Sequence, residues 1–202
     1  MKLYGAPMPA PNPRRVRMFL AEKGVDLPEI HVDLRAREHK SAPIVAKNSV
    51  GQVPFLELDD GEVISETVSI CRYLEEMHPE PPLFGRTALE RARVDMWVRR
   101  IEFQLGRPIA MFWVHAHPFT AGPHQHKDFG ESNRALVDAA MRWLDGEMQG
   151  REFIAGDGFT IADIVALSTI DFAAWIGLAI PEDCARLKAW HARVSARPSS
   201  SA

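Results

Sequence analysis

The fold of this chain is decided by residues 51–67, which read GQVPFLELDDGEVISET. Asp60-Gly61 is a dipeptide typical of the tight turn that joins two antiparallel strands. Pro54 stands at the head of the first apolar run. Proline has no N–H to donate to a neighbouring strand, and the first residue of a strand is a position where this is tolerated. Ser65-Glu66-Thr67 leads into a segment with helical spacing. The stretch therefore predicts strand, turn, strand and the start of a helix.

Two features of this stretch are suited to holding a peptide. An X-Pro bond adopts the cis form at modest cost, and a cis Val53-Pro54 bond would turn the N–H and C=O of Val53 outward. An extended peptide that contains cysteine can pair with those groups as an added strand. Glu66 and Thr67 open the next helix, where free N–H groups favour a bound carboxylate. The alternative is purely structural, since a proline at a strand start is ordinary and Ser65-Glu66 can serve only to cap the helix.

Charge and length restrict the class of protein. The chain has 202 residues and a formal net charge of -3, which suits one large or two small domains and gives no general attraction to nucleic acid or membranes. No apolar run has the length needed to span a bilayer, and the amino terminus reads as a strand rather than a signal peptide, so we expect a cytoplasmic protein. Cys71 and Cys184 form no Cys-x-x-Cys pair, which excludes a thioredoxin-type dithiol, and neither resembles a nucleophile.

The pattern of predicted elements changes along the chain. Residues 1–77 alternate in the order βαβαββα, which predicts an α/β domain with a four-stranded mixed sheet. Residues 78–86 are a linker stiffened by prolines. Residues 87–202 read as an all-α domain, with helices over 89–111, 133–148, 161–176 and 184–194. Thr160 and Asp163 have the spacing of a capping box at the start of the third of these helices, which is a structural role.

Together these features resemble a cytosolic-type glutathione transferase over essentially the whole chain. The specific markers are Val53-Pro54, Glu66-Thr67 and the segment GDGFTIAD at residues 156–163. Segments 38–40, 46–48, 56–61, 189–190 and 197–199 are similar to the fungal Gtt-type subgroup, whereas PNPRRV at residues 11–16 looks more like bacterial Nu-type enzymes. The resemblance implies a thioredoxin-like glutathione-binding domain at 1–77 and a helical domain at 87–202 that carries the electrophile pocket.

The resemblance also implies which residues bind glutathione, the co-substrate. Val53, before a cis Pro54, would pair through its backbone with the cysteinyl unit. Glu66 and Thr67 would take the γ-glutamyl amine and carboxylate, respectively. Lys40, with His39 as a second candidate, would meet the glycyl carboxylate. Lys40 fits a solvated surface lysine equally well, so both interpretations stay open.

The group that activates the thiol is the weak point of the resemblance. Only the thiolate is a good nucleophile, and family members commonly place Tyr, Ser or Cys near the sulfur, just after the first strand. Here that loop, GAPMPAPNP at residues 5–13, contains none of them, and we expect Tyr4 to pack in the sheet. Asn12 is the only side-chain donor in the loop. It would either stabilise the thiolate as an oxyanion-hole donor does, without taking the proton, or simply cap the first helix.

The segment FWVHAHPF at residues 112–119 is the other polar cluster, and its position suggests the mouth of the electrophile site. In Gtt-type enzymes this region is thought to contribute polar groups to thiol activation. In this chain His115 is the remaining candidate for that role. We expect Met8, Phe112 and Trp113 to form an apolar acceptor pocket. The histidines of this region lack an accompanying acid or thiol arrangement, so we expect no metal.

The sequence therefore predicts a glutathione transferase that conjugates the glutathione thiolate to small hydrophobic electrophiles. Family precedent implies a homodimer, with the helix around residues 91–99 and the helix after Glu66 at the interface. Two alternatives stay open. One is a glutathione-dependent disulfide reductase or peroxidase, as Nu-type enzymes imply. The other is a non-catalytic protein of transferase fold that holds glutathione or hydrophobic ligands, which the loop without Tyr, Ser and Cys supports.

Overall fold

The structure is a computed structural model that describes residues 1–7 and 9–202. Its contacts divide the chain into two compact units, Met1–Leu83 with Pro198–Ala202, and Phe84–Arg197. The last residues thus lie with the amino-terminal unit, whereas the sequence placed them in the helical domain. Polar contacts with α1 contribute to this, since the Arg14 guanidinium donates to the backbone oxygen of Ser200 over 2.7 Å and the Ser199 hydroxyl donates to Glu22.

The first unit contains a four-stranded sheet and three α-helices, as predicted. Its elements are β1 (Lys2–Gly5), α1 (Pro11–Lys23), β2 (Glu29–His31), α2 (Ala42–Lys47), β3 (Phe55–Glu57), β4 (Val63–Ser65) and α3 (Thr67–Met77), with a 3-10 turn over Glu38–Lys40 before α2. The strand order is β2-β1-β3-β4. β1 runs parallel to β2 and antiparallel to β3, and β3 pairs antiparallel with β4. The mixed sheet and the βαβαββα order are confirmed.

Two glycines of this unit mark the end of a helix and the turn of a hairpin. Gly24 follows α1 in the left-handed region, at φ 63°, and its N–H bonds back to the last turn. Gly61 has φ 89° in the hairpin between β3 and β4. Side chains such as Leu3, Phe19 and Phe55 are fully buried around the sheet.

The second unit is all helical, as predicted. Its α-helices are α4 (Ala88–Arg100), α5 (Arg107–His115), α6 (Lys127–Glu147), α7 (Ile161–Trp175) and α8 (Ala185–Ser195), with a π-helical segment over Ile101–Gly106 between α4 and α5. The predicted helix over 89–111 is thus interrupted and reaches His115. The π-helical segment ends two residues before Pro108, whose ring would clash with a carbonyl of a regular preceding turn, and the wider turn accommodates the ring.

The predicted capping box at the start of α7 is confirmed and is larger than the sequence indicated. Asp163 is fully buried and accepts from the Thr160 N–H (3.0 Å), the Ile154 N–H (2.9 Å) and the Trp190 indole (2.9 Å). One carboxylate therefore joins the start of α7, the loop before it and α8.

Both cysteines are buried, and burial raises the pKa of each thiol. That agrees with the interpretation that neither is a nucleophile. Within the described chain, no helix has the length and apolarity needed to cross a membrane.

Candidate active site

Val53-Pro54 and Glu66-Thr67, the residues suited to holding a peptide, lie at the end of the β3–β4 pair opposite the hairpin turn. The Val53-Pro54 bond is cis, as predicted. The last residues paired across β3 and β4 are Phe55 and Ser65, so Pro54 and Glu66 occupy the next positions beyond that pair. The N–H and C=O of Val53 make no hydrogen bond to any residue that the structure describes. An extended peptide can pair with these groups.

Glu66 and Thr67 form the start of α3 in an unusual backbone conformation. Glu66 has φ 68° and ψ 122°, and its side chain is exposed and makes no capping hydrogen bond. Positive φ is costly for a residue with a side chain, and such strain concentrates at binding and catalytic sites. Thr67 is the first helical residue and is largely buried. The first N–H groups of α3 have no partner within the helix and bond to no residue that the structure describes, so they can bind a carboxylate.

Lys40 lies along the loop that leads from α2 to Val53. Its Nζ donates to the backbone oxygen of Val50 over 3.0 Å and keeps further donors for a ligand. Gly51 makes this path possible, because a Cβ there would lie 2.9 Å from the His39 oxygen and 3.1 Å from Lys40 Cδ. Burial lowers the pKa of His39, and the charges of Lys40 and Arg37 lower it further. His39 is therefore the neutral member of this pair.

Asn48 organises the same loop, and the sequence analysis did not single it out. Its side-chain amide donates to the Gln52 oxygen (2.9 Å), its Oδ1 accepts from the Val50 N–H (3.4 Å), and its backbone oxygen accepts from the Gly51 N–H (2.7 Å). An Asn between a predicted helix and a glycine turn was the signal that the sequence offered.

The structure removes one interpretation of Asn12. The N-cap of α1 is Ala10, with no side-chain cap, so the alternative that Asn12 merely caps this helix is wrong. Pro11 and Pro13 lack an N–H, and the Ala10 N–H bonds to the Pro7 oxygen over 3.3 Å. Among the described residues no group accepts from the Asn12 N–H, so Asn12 offers this backbone donor of the first turn as well as an exposed side-chain amide. Both groups can stabilise an anion, and neither can remove a proton.

Tyr4 packs in the sheet, as expected. Its hydroxyl donates to Glu57 Oε2 over 2.7 Å, and its ring stacks on Phe55 with centroids 4.4 Å apart. The hydrogen bond to Glu57 raises the pKa of Tyr4, and burial adds to the effect. This hydroxyl is occupied in the sheet and does not replace the Tyr that family members place beside the sulfur.

The two histidines at the end of α5 have their Nδ1 atoms engaged. His115 Nδ1 accepts from the His126 N–H over 3.4 Å, and His117 Nδ1 accepts from the Phe119 N–H over 3.2 Å. When neutral, each ring therefore carries its proton on Nε2 and offers a donor there. His115 is suited to stabilising negative charge rather than to taking a proton.

Trp113 is the centre of an aromatic cluster that the sequence indicated only in part. Its ring lies 4.8 Å from His117, 5.5 Å from Phe119, 5.3 Å from Phe172 and 5.6 Å from Trp175. Phe119 is 60% exposed and Trp175 49% exposed, so the cluster presents an apolar surface. Spacing along a helix could have linked Trp113 to His117 and Phe172 to Trp175. The contact between these pairs depends on how the helices pack.

Phe112 does not join this cluster. Phe112 is 4% exposed, and Cζ of the Arg134 guanidinium lies 4.7 Å from the centre of its ring. Successive residues of a helix point in different directions, which separates Phe112 from Trp113. Met8, the third predicted pocket residue, lies outside the described residues. Across those residues there is no group of three or more His, Cys, Asp or Glu that could hold a metal ion.

Comparison with known proteins identifies the family. The chain is 37% identical to "Glutathione S-transferase 2" of Saccharomyces cerevisiae over 98% of its own length and 87% of that protein. This chain belongs to the glutathione S-transferase family. Residues 10–77 of this glutathione S-transferase match the family model described as "Glutathione S-transferase, N-terminal domain", and residues 109–198 match "Glutathione S-transferase, C-terminal domain".

Solved structures confirm the predicted fold of this glutathione S-transferase. The crystal structure of Gtt2 from Saccharomyces cerevisiae matches 100% of this chain and 99% of its own with a TM-score of 0.93 and 37% identity. A glutathione S-transferase domain-containing protein of Marinobacter aquaeolei VT8 matches 98% of this chain and 99% of its own, at TM-score 0.93 and 38% identity. The likeness to the Gtt-type subgroup is therefore confirmed, and glutathione is the co-substrate of the family.

Proposed function

We propose that this protein is a glutathione transferase that joins the glutathione thiolate to small hydrophobic electrophiles. The observation that carries the proposal is the position of Glu66 and Thr67. They follow β4 at the end of the β3–β4 pair where Val53-Pro54 precedes β3. The proposal is supported by the exposed Glu66 carboxylate, by the first N–H groups of α3, and by the Val53 backbone groups, which bond to no described residue.

These groups match the charges of glutathione. The tripeptide carries one ammonium group and two carboxylates at neutral pH. The Glu66 carboxylate takes the γ-glutamyl ammonium, and Thr67 with the first N–H groups of α3 takes the adjacent carboxylate. The Val53 N–H and C=O pair with the cysteinyl unit. Lys40, which keeps donors free beside its bond to Val50, meets the glycyl carboxylate.

Asn12 supports the chemical step by stabilising the thiolate. A free thiol has a pKa of about 8.5, and a donor near the sulfur lowers it. The proton leaves to solvent, because an amide cannot accept it. The sulfur then attacks an electrophilic carbon, a C–S bond forms, and the displaced electron pair leaves with a halide or is protonated by water after addition. His115 is the second candidate donor.

The aromatic cluster of the second unit supplies the surface for the electrophile. Trp113, Phe119 and Trp175 together offer stacking faces to an apolar acceptor. Phe112 is buried and does not belong to this surface.

We also propose a homodimer in the cytoplasm. Exposed apolar side chains on the two helices named by family precedent support the dimer: Met77 on α3, and Leu89 and Met96 on α4. The two free cysteines suit a reducing compartment.

The ultraviolet difference spectrum of bound glutathione, followed against pH, tests the proposed activity. We expect the wild type to hold the thiolate at neutral pH and Asn12→Ala to raise the pKa of the bound thiol. Gln149→Ala removes an exposed amide in the second unit and serves as the control. A thiol that stays protonated at pH 7 in the wild type would leave only a binding protein. Faster turnover of a mixed disulfide than of an aromatic halide would favour the reductase.

A further inference from the structure

Helix α2 is attached to the sheet by a polar network and by a small apolar contact. Lys47, its last residue, forms an ion pair with Glu57 on β3, and Glu57 also accepts the Tyr4 hydroxyl from β1 over 2.7 Å. The Lys47 ammonium lies 5.8 Å from the centre of the Tyr4 ring. We call these three side chains the Tyr4–Glu57–Lys47 network. It links α2 to the two central strands of the sheet.

The apolar attachment of α2 is small. The helix has six residues, and Ile44 is its one buried side chain, packed in a cluster with Val32 and Phe55. A helix this short is unstable by itself, so its position depends on tertiary contacts. Hydrogen bonds from Lys47 and Tyr4 lower the pKa of Glu57 and keep the network charged near neutral pH.

Both ends of α2 lead directly to the glutathione site. Lys40 precedes the helix, in the turn whose Ser41 carbonyl accepts the Val45 N–H of α2 over 2.9 Å. Asn48 follows Lys47 and holds the Gln52 carbonyl next to Val53. A shift of α2 on the sheet would therefore move Lys40, whose ammonium group is proposed to meet the glycyl carboxylate.

We propose that the Tyr4–Glu57–Lys47 network is a positioning device that holds α2 so that Lys40 meets the glycyl carboxylate of glutathione. The inference rests on the proposed function, because it requires glutathione at this site. The three residues act through Lys40 and are positioning residues. Neither the family comparison nor the sequence pattern assigns them this role.

The test compares glutathione with γ-glutamylcysteine, which lacks the glycyl unit. Dissociation constants are measured by calorimetry for the wild type, Lys47→Met, Glu57→Gln and Lys47→Arg. For glutathione we expect Lys47→Met and Glu57→Gln to raise the Kd roughly three- to tenfold, the effect of partly losing one charge-assisted hydrogen bond. For γ-glutamylcysteine we expect no change, and Lys47→Arg should restore most of the affinity for glutathione.

A control and a second readout separate positioning from general loosening. Lys188→Met removes an ion pair of the same type, to Glu182 at 2.6 Å, in the second unit and should leave both constants unchanged. With an aromatic halide as acceptor, Lys47→Met should raise the KM for glutathione and leave kcat at saturation close to that of the wild type.

Each remaining outcome overturns a definite claim. Equal losses for glutathione and γ-glutamylcysteine would contradict an effect through the glycyl end, and no loss for either would refute the network. If Glu57→Gln tightened binding of glutathione, Lys47 would be a direct ligand and the proposed role would be wrong. A wild type that binds neither peptide would refute the proposed function, and this inference with it.

Discussion

Substitution of Gly51 by alanine tests how the Lys40 side chain packs against the loop before Val53. Gly51 has φ 60°, and a Cβ there would lie 2.9 Å from the His39 backbone oxygen and 3.1 Å from Lys40 Cδ. The left-handed conformation costs an alanine about 1–2 kcal/mol of folding free energy. The close contact adds a displacement of the turn that carries Lys40, because a backbone oxygen cannot move aside as a flexible side chain does. Loss of the charge-assisted hydrogen bond from Lys40 to glutathione, worth about 1.5 kcal/mol, would weaken binding roughly tenfold.

Gly24→Ala is the matched control. Gly24 has φ 63°, and no atom lies within 4 Å of the point that a Cβ would occupy, so the two variants share the backbone strain and differ in the contact. Urea unfolding should show a similar loss of stability in both. Calorimetry should show weaker glutathione binding in Gly51→Ala alone. Equal glutathione affinity in the two variants would refute the assignment of Lys40 to the glycyl carboxylate.

Three further predictions concern stability and the acceptor. Burial raises the pKa of Asp163 to about 6 against four hydrogen bonds that lower it, so the folded protein binds an extra proton between pH 4 and 6. The free energy of unfolding of the wild type minus that of Asp163→Asn, both measured in urea, should therefore fall by up to about 3 kcal/mol as the pH rises from 4 to 6. A difference that does not change with pH would contradict the raised pKa. Lys23→Met should lower the free energy of unfolding by about 3 kcal/mol, because the buried Lys23 ammonium pairs with Glu75 at 2.5 Å; urea titration at pH 7 checks this, and a change below the error of the method would count against it. Trp175→Ala should raise the KM of an aromatic halide about threefold and leave the KM of glutathione unchanged, since the aromatic stacking term is small; steady-state kinetics decides, and a shift in the KM of glutathione alone would argue against the assigned surface.

Local signals in the sequence predicted the architecture of the first unit. Asp60-Gly61 and Gly24 mark a hairpin and a helix end through backbone conformations that few other residues adopt. Val53-Pro54 and Glu66-Thr67 are contiguous pairs that the sequence displays directly, and the pairing of β3 with β4 brings the two pairs to the same end of the hairpin. The sequence left two interpretations of Asn12 open, and a local rule decides where α1 starts. Proline is favoured at the first position of a helix, and Pro11 occupies that position here, which leaves Asn12 inside the helix.

Contacts between distant residues were not predictable in the same way. Tyr4 meets Glu57, 53 residues away, and Arg14 meets Ser200, 186 residues away. The sequence placed Phe112 and Trp113 in one pocket, yet α5 turns one to the interior and the other toward α7.

The sequence by itself determined the order of strands and helices, the family and the short motifs that would hold glutathione, because turns, caps and periodicity act over a few residues. Only the tertiary structure decided which side chains remain free at the site. In the folded protein the Tyr4 hydroxyl donates to Glu57, Asn12 is exposed, and Trp113 packs against Trp175. The physical reason is that a side chain's partner is set by the packing of whole elements, which no local pattern encodes.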